Sequence, residues 1–238
     1  MTAGLATLDL WESLSRPGCP ICRVRRNSER RYAVNLLWEN VNDPGVRARL
    51  LASNGFCGPH AGLLLHLADR ELGSRLGLAI MYEHLARDLT RRVGELLKPG
   101  GRGRVFGPAR IPSVRQLRGL LPAEECPVCA VGREAADRNL WFLVERLPAA
   151  DWRQAWQVSD GLCRPHLLGA LGIAARANPE VFDFLWQDAL GRLEALRHNL
   201  AEFIRKQSWT HRDEPVSAAE AGAVDAAIRF FTGDGGPE

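Results

Sequence analysis

Six cysteines and two of the six histidines carry the chemistry legible in this chain, and every cysteine belongs to one repeated pattern. Cys19 and Cys22 form a C-P-I-C pair that recurs 107 positions later as C-P-V-C at Cys126 and Cys129. Cys57 and His60 close the sequence SNGFCGPH, echoed 106 positions later by SDGLCRPH with Cys163 and His166. The inner spacing is nearly the same, 34 residues between Cys22 and Cys57 and 33 between Cys129 and Cys163. Pairs spaced C-x-x-C and C-x-x-H place two donors about one helical turn apart, so both can face one ion. Three thiolates and one imidazole make a closed tetrahedral set for zinc, with no position left for water or substrate.

Pro20, Pro59, Pro127 and Pro165 stand where helices should begin. The ligands would then gather at helix N-termini, where unpaired N–H groups and the helix dipole favour thiolate over thiol. The expectation is two zinc ions per chain, one held by Cys19, Cys22, Cys57 and His60, the other by Cys126, Cys129, Cys163 and His166. Reach permits this pairing within each copy. A helix from Cys22 to about Val41 runs outward roughly 30 Å, and a short helix with a few extended residues returns roughly 28 Å. On this pairing, Cys57→Ser should strip the metal from the Cys19 site.

The same residues admit other chemistry. Disulfides would leave one cysteine of each copy unpaired. A thioredoxin-like redox pair needs a strand before the helix and a βαβ surround, and neither pattern is present. Haem attachment needs His directly after C-x-x-C, and neither pair has it. An iron–sulfur cluster is the rival that Cys3His ligation allows, and the sequence does not separate it from zinc. His66, His84, His198 and His211 have no ligand partner at a suitable spacing; His84, beside Glu83, is the one placed to be inspected for chemistry. Trp152 and Trp156, one turn apart, read as packing residues.

The elements that must position these groups are helices. A run opens at Cys19-Pro20 and reaches about Asn40. Asp43-Pro44 caps a short helix that ends at Asn54-Gly55. Another helix opens at Pro59, and a long one follows to about Lys98 with a stripe of Leu78, Met81, Leu85, Leu89, Val93 and Leu96. Asn178-Pro179 starts its counterpart, striped with Phe182, Leu185, Ala189, Leu193, Leu196, Leu200 and Phe203. Ser217 and Glu220 form a capping box before a last helix. No strand pattern appears. The fold class is all-α, a helical bundle of two repeats, each with a Cys3His site at helix N-termini. The boundaries are 1–98 for the first repeat, 99–113 for a Gly/Pro/Arg-rich linker, 114–232 for the second repeat and 233–238 for a frayed tail.

Composition narrows the function classes. An apolar fraction of 46% and a charged fraction of 25% are globular values, so a core can form without metal. No apolar run approaches the roughly 20 residues of a transmembrane helix, and Asp9 and Glu12 stand where a signal peptide would be apolar. The expectations are a cytoplasmic location and no membrane insertion. Residues 1–113 hold 17 Lys/Arg against 10 Asp/Glu, and residues 114–238 hold 14 against 18, giving +7 and −4. The basic half, with Arg23, Arg25, Arg26, Arg30 and Arg31, raises a nucleic-acid partner as the weaker reading. Those arginines spread around one helix, and only Lys98 and Lys206 are lysines, so the excess reads as compositional.

CPIC…FCGPH and CPVC…LCRPH, with NDPGVRARL between the first pair, resemble an uncharacterised bacterial protein family of unknown function that carries the duplicated motif. The resemblance covers most of the chain. It implies a helical zinc-motif protein and supplies no catalytic residue. No acid–base or nucleophile constellation stands out either. The function expected is therefore a non-enzymatic zinc protein with a structural or protein-interaction role, with a nucleic-acid-binding or metal/redox-responsive regulator as the alternative.

Overall fold

A short capping side chain followed by proline starts two of the helices, at Asp43-Pro44 and Asn178-Pro179. The computed structural model describes residues 2–97 and 111–233, with no account of side chains 2–7. Most of the expected linker and nearly all of the expected tail lie outside those residues. Among them the elements are α1 (Thr2–Leu14), α2 (Pro20–Trp38), α3 (Pro44–Ala52), α4 (Gly58–Arg70), α5 (Leu76–Leu97), α6 (Val114–Arg118), α7 (Pro127–Arg146), α8 (Ala150–Val158), α9 (Arg164–Ala177), α10 (Pro179–Lys206), α11 (Ala218–Ala221) and α12 (Ala223–Thr232). There is no strand among them.

Asp43 caps α3 by accepting the Val46 N–H at 2.8 Å, and Asn178 caps α10 through the Val181 N–H at 3.3 Å. Ser217 and Glu220 close a reciprocal capping box at α11. Asn54 and Gly55 both take positive φ, 51° and 101°, and end α3 in a tight turn. Positions shared between the two copies do the same local work. Arg47 Nε donates to the Val41 carbonyl and Arg153 Nε to the Leu147 carbonyl, each six residues back. Ser53 and Ser159 each donate to a carbonyl three residues back, of Leu50 and Trp156.

The chain divides into two compact units, and they do not follow the two copies. One comprises Met1–Asn27 with Glu134–Glu238; the other is Ser28–Arg133. The core of the first unit is built on Leu10, Leu14, Ile21, Leu143, Trp156 and Leu185. Trp152 is buried edge-on to Trp11 with ring centroids 5.1 Å apart, and Trp156 donates its indole N–H to Asp188 at 3.0 Å. The core of the second unit is built on Leu36, Leu50, Leu64, Leu67, Leu78 and Met81.

Both long stripes are buried at their beginnings and less so further along. On α5 Leu78 and Met81 are in the core, whereas Leu89 is 47% exposed. On α10 Leu185 is in the core, while Leu193 and Leu196 line an open cavity. The period of a stripe records which face is apolar, not how far along the helix a neighbour covers it.

Leu64→Ala removes a fully buried side chain from the second unit, and the loss should be ~2–5 kcal/mol of unfolding free energy. Leu89→Ala, at a half-exposed position of α5, should change it by less than about 0.5 kcal/mol. Urea denaturation of both variants checks this; equal effects would refute the assignment of the core.

Candidate metal centres

Cys57 and Cys163 are the N-cap residues of α4 and α9, with extended backbones at φ −67° and −66°, and neither sulfur is spent on a capping hydrogen bond. Cys19 and Cys126 immediately precede the first residues of α2 and α7, and Cys22 and Cys129 lie in the first turns. All six sulfurs therefore sit at or beside a first helical turn, whose N–H groups have no carbonyl partner within the helix. His60 and His166 each lie one turn beyond an N-cap cysteine and direct Nδ1 at the sulfurs.

The eight residues gather into two sets. Cys19, Cys22, Cys163 and His166 form one; Cys57, His60, Cys126 and Cys129 form the other. Within each set the ligand atoms lie no more than 4.8 Å apart. In the first, His166 Nδ1 is 3.5 Å from Cys19 Sγ, 3.4 Å from Cys22 Sγ and 3.2 Å from Cys163 Sγ, and the Cys22 and Cys163 sulfurs are 3.7 Å apart. In the second, His60 Nδ1 is 3.2 Å from Cys57, 3.6 Å from Cys126 and 3.3 Å from Cys129, with 3.6 Å between the Cys57 and Cys129 sulfurs. A tetrahedral ion with 2.3 Å sulfur bonds and 2.0–2.1 Å nitrogen bonds separates its ligands by about 3.8 Å (S to S) and about 3.6 Å (S to N). The side chains present fit one such ion in each set. None of the six cysteines is joined in a disulfide.

The expected pairing within each copy is therefore wrong: each set takes C-x-x-C from one copy and C-x-x-H from the other. The reason lies along α2. His60 Nε2 sits 3.5 Å from the Glu29 carboxylate, seven residues beyond Cys22. Seven residues of helix rise about 10 Å, so Cys57 and His60 are anchored well up α2 from Cys22. Packing of α3 and α4 on the Ala33–Leu36 part of α2 holds them there. The chain could have reached back to Cys19, but reach cannot distinguish two equivalent C-x-x-C pairs; the packed core can. Each set lies wholly within one compact unit, the Cys19 set in Met1–Asn27 with Glu134–Glu238 and the Cys57 set in Ser28–Arg133.

Turn residues fasten the same exchange. Asp160 accepts the Gly18 N–H at 2.7 Å, holding the approach to Cys19 beside the turn that presents Cys163. Its counterpart Asn54 donates to the Leu120 carbonyl at 2.6 Å, on the approach to Cys126. These roles and that of Glu29 were not read from the sequence. Spacing carried no signal for them: Asp160 and Asn54 act on a segment of the opposite copy, and Glu29 meets His60 from 31 residues away on another helix.

Protons compete for the positions a metal would take. Hydrogen bonds to Cys126 and Glu29 raise His60 to about 10. Burial opposes charge on His166, but hydrogen bonds to Cys163 and Cys22 outweigh it and lift the ring to about 9. Burial pushes the Cys126 thiol up, yet the His60 hydrogen bond and the backbone N–H groups of Cys129, Cys57 and Val128 bring it down to about 6. Cys129 rises to about 12 through burial and its neighbour Cys57, and Cys19 rises through hydrogen bonding to Cys163 and Cys22 and through burial. An imidazolium against a thiolate is the arrangement a divalent cation displaces, releasing protons as it binds.

Among the described residues, none of the other four histidines joins a ligand set. His211 pairs with Glu214 at 2.9 Å, and Glu83 beside His84 is held by Arg87 at 2.6 Å. No helix among the described residues is long and apolar enough to cross a membrane.

The model of a family of unknown function (DUF6062) matches residues 1–236, and the chain belongs to that family. No curated protein and no solved structure matches it.

The exchanged pairing predicts an unusual pattern in double variants. Cys57→Ser with Cys126→Ser damages one centre and should lower bound metal from two ions to one. Cys57→Ser with Cys19→Ser damages both and should lower it to none. Metal-to-protein ratios by mass spectrometry separate the two; the reverse result would restore pairing within the copies.

Proposed function

We propose that this member of a family of unknown function is a non-enzymatic zinc protein, in which two Cys3His ions join helix starts that are distant in the sequence and hold a surface for a protein partner. The observation that carries this reading is the gathering of all eight ligand atoms into two complete sets, each within 4.8 Å. Three sulfurs and a nitrogen complete a tetrahedron, which favours a structural over a catalytic role. The short separations support a single ion at each set, since an iron–sulfur cluster distributes its protein ligands over several irons and spreads them further apart.

Closure is long-range. Cys22 and Cys163 are 141 residues apart in sequence, and Cys57 and Cys129 are 72 apart. In the chain-entropy model, a cross-link over such loops stabilises by about 4–5 kcal/mol through the unfolded chain. The zinc ions would thus act on the whole topology rather than on one loop. The arginines of the basic half support a structural reading over nucleic-acid binding. Arg30 is held by Glu71, Arg75 by Asp69, Arg87 by Glu83, and Arg91 by Asp88 and Glu95. Guanidinium groups paired in this way are less available to phosphate.

Elemental analysis of the purified chain, with an absorbance spectrum, should give two zinc ions and no visible band. Iron with a visible band would turn the reading to redox chemistry, and no metal at either centre would overturn it. Metal holds the ligating thiols below the ~8.5 of an unfolded chain. Its share of the stability is therefore present above that pH and declines as pH falls. The drop in Tm on adding a chelator should accordingly be large at pH 8 and shrink toward pH 5; a drop independent of pH would contradict the role of the thiolates.

A further inference from the structure

The two centres share a ligand set but differ in what surrounds it. At the Cys57 centre a carboxylate stands behind the histidine. Glu29 is 7% exposed and faces His60 Nε2, while His60 Nδ1 faces the sulfurs. Room for Glu29 comes from Gly132 on α7, where a Cβ would overlap the carboxylate. A carboxylate accepting the outer N–H of a ligating imidazole fixes the ring and raises its basicity, and its loss typically costs 10–100-fold in metal affinity.

At the Cys19 centre the corresponding positions are different residues. Counting 107 along the chain, Glu29 corresponds to Ala136 and Gly132 to Arg25. Ala136 is buried and has no group to offer His166. An open cavity of about 430 Å³ adjoins this centre, with Cys19 and Cys163 in its wall. Its other walls are largely apolar, including Leu193 and Leu196 of α10 and Phe230 of α12. Gly233, just past α12, lies over the sulfurs: a Cβ there would be 3.4 Å from Cys22 Sγ and 3.7 Å from Cys163 Sγ. None of the ligands of the Cys57 centre lines that cavity.

We infer that the Cys19/Cys22/Cys163/His166 centre is an exchange site, passing a thiophilic divalent cation such as zinc to or from an incoming donor seated in the adjoining cavity. The Cys57/His60/Cys126/Cys129 centre is the permanent one, and Glu29 is its positioning residue. This rests on the zinc reading above. Surface exposure alone would rank the centres the other way. Cys57 and Cys129 are half-buried, whereas Cys19, Cys22 and Cys163 are only 3–7% exposed. Exchange by ligand attack, however, needs space for a second donor beside the metal before the first has left. The cavity supplies that space at Cys19 and Cys163, and a free edge of a cysteine does not.

The test is zinc release from the full, metal-loaded chain into excess 4-(2-pyridylazo)resorcinol. Two equal phases are expected, about tenfold or more apart in rate. The fast one should accelerate with chelator concentration, and the slow one should not. Cys22→Ser should abolish the fast phase and leave the slow one. Glu29→Gln, close to isosteric, should quicken the slow phase about 10–100-fold and leave the fast phase unchanged. Two zinc ions released at one rate, or a slow phase untouched by Glu29→Gln, would overturn the division of roles while leaving the zinc reading intact. Protein without zinc would remove the zinc reading itself.

Discussion

The rest of this structure depends on where Cys57 and His60 are held along α2. Once α3 and α4 pack on the Ala33–Leu36 stretch, His60 sits at Glu29 and is too far up the helix for Cys19 and Cys22 to share an ion with it. The second C-x-x-C, at the start of α7, supplies the missing sulfurs. Cys163 and His166 are then left for Cys19 and Cys22. A tetrahedral ion tolerates little variation in ligand distance, so one anchored pair decides both centres.

This exchange gives the fold its discontinuous organisation. The first turns of α2 and α7 hold cysteines of one unit, and the remainder of each helix enters the core of the other. Each unit thus needs segments from both ends of its sequence or from both copies before its metal set is complete. In such a chain the ions would stabilise by fixing which helix starts meet, a long-range choice that local helix propensity leaves open.

Duplicated ligands do not make duplicated sites. Glu29 and Gly132 form a matched pair, a buried carboxylate and the absent side chain that admits it, and the corresponding positions at the other centre are Ala136 and Arg25. The surroundings of a metal control its retention as much as the atoms that bind it. On the roles proposed above, one ligand set would serve both as a fixed brace and, beside an open cavity, as a point of exchange.

Much of the molecule was legible in the chain itself. Proline after Cys19, Cys126, Asp43 and Asn178 marked helix starts, Asn54-Gly55 marked a stop, and Ser217 with Glu220 marked a capping box. These are effects of neighbours within four residues. The eight residues of the two sets were legible for the same reason, since C-x-x-C and C-x-x-H are spacings within one turn. Which pairs would meet was not legible. Residues 22 and 57, or 22 and 163, are linked only through packing, and a duplicated sequence offers two partners of the same chemistry. The extent of burial along α5 and α10, the carboxylate behind His60 and the cavity beside Cys163 belong to the same class. Sequence by itself determined the all-helical character and the donor atoms, because both are local; only the tertiary structure decided how the donors combine, because that choice is made by the cores that place α4 and α9.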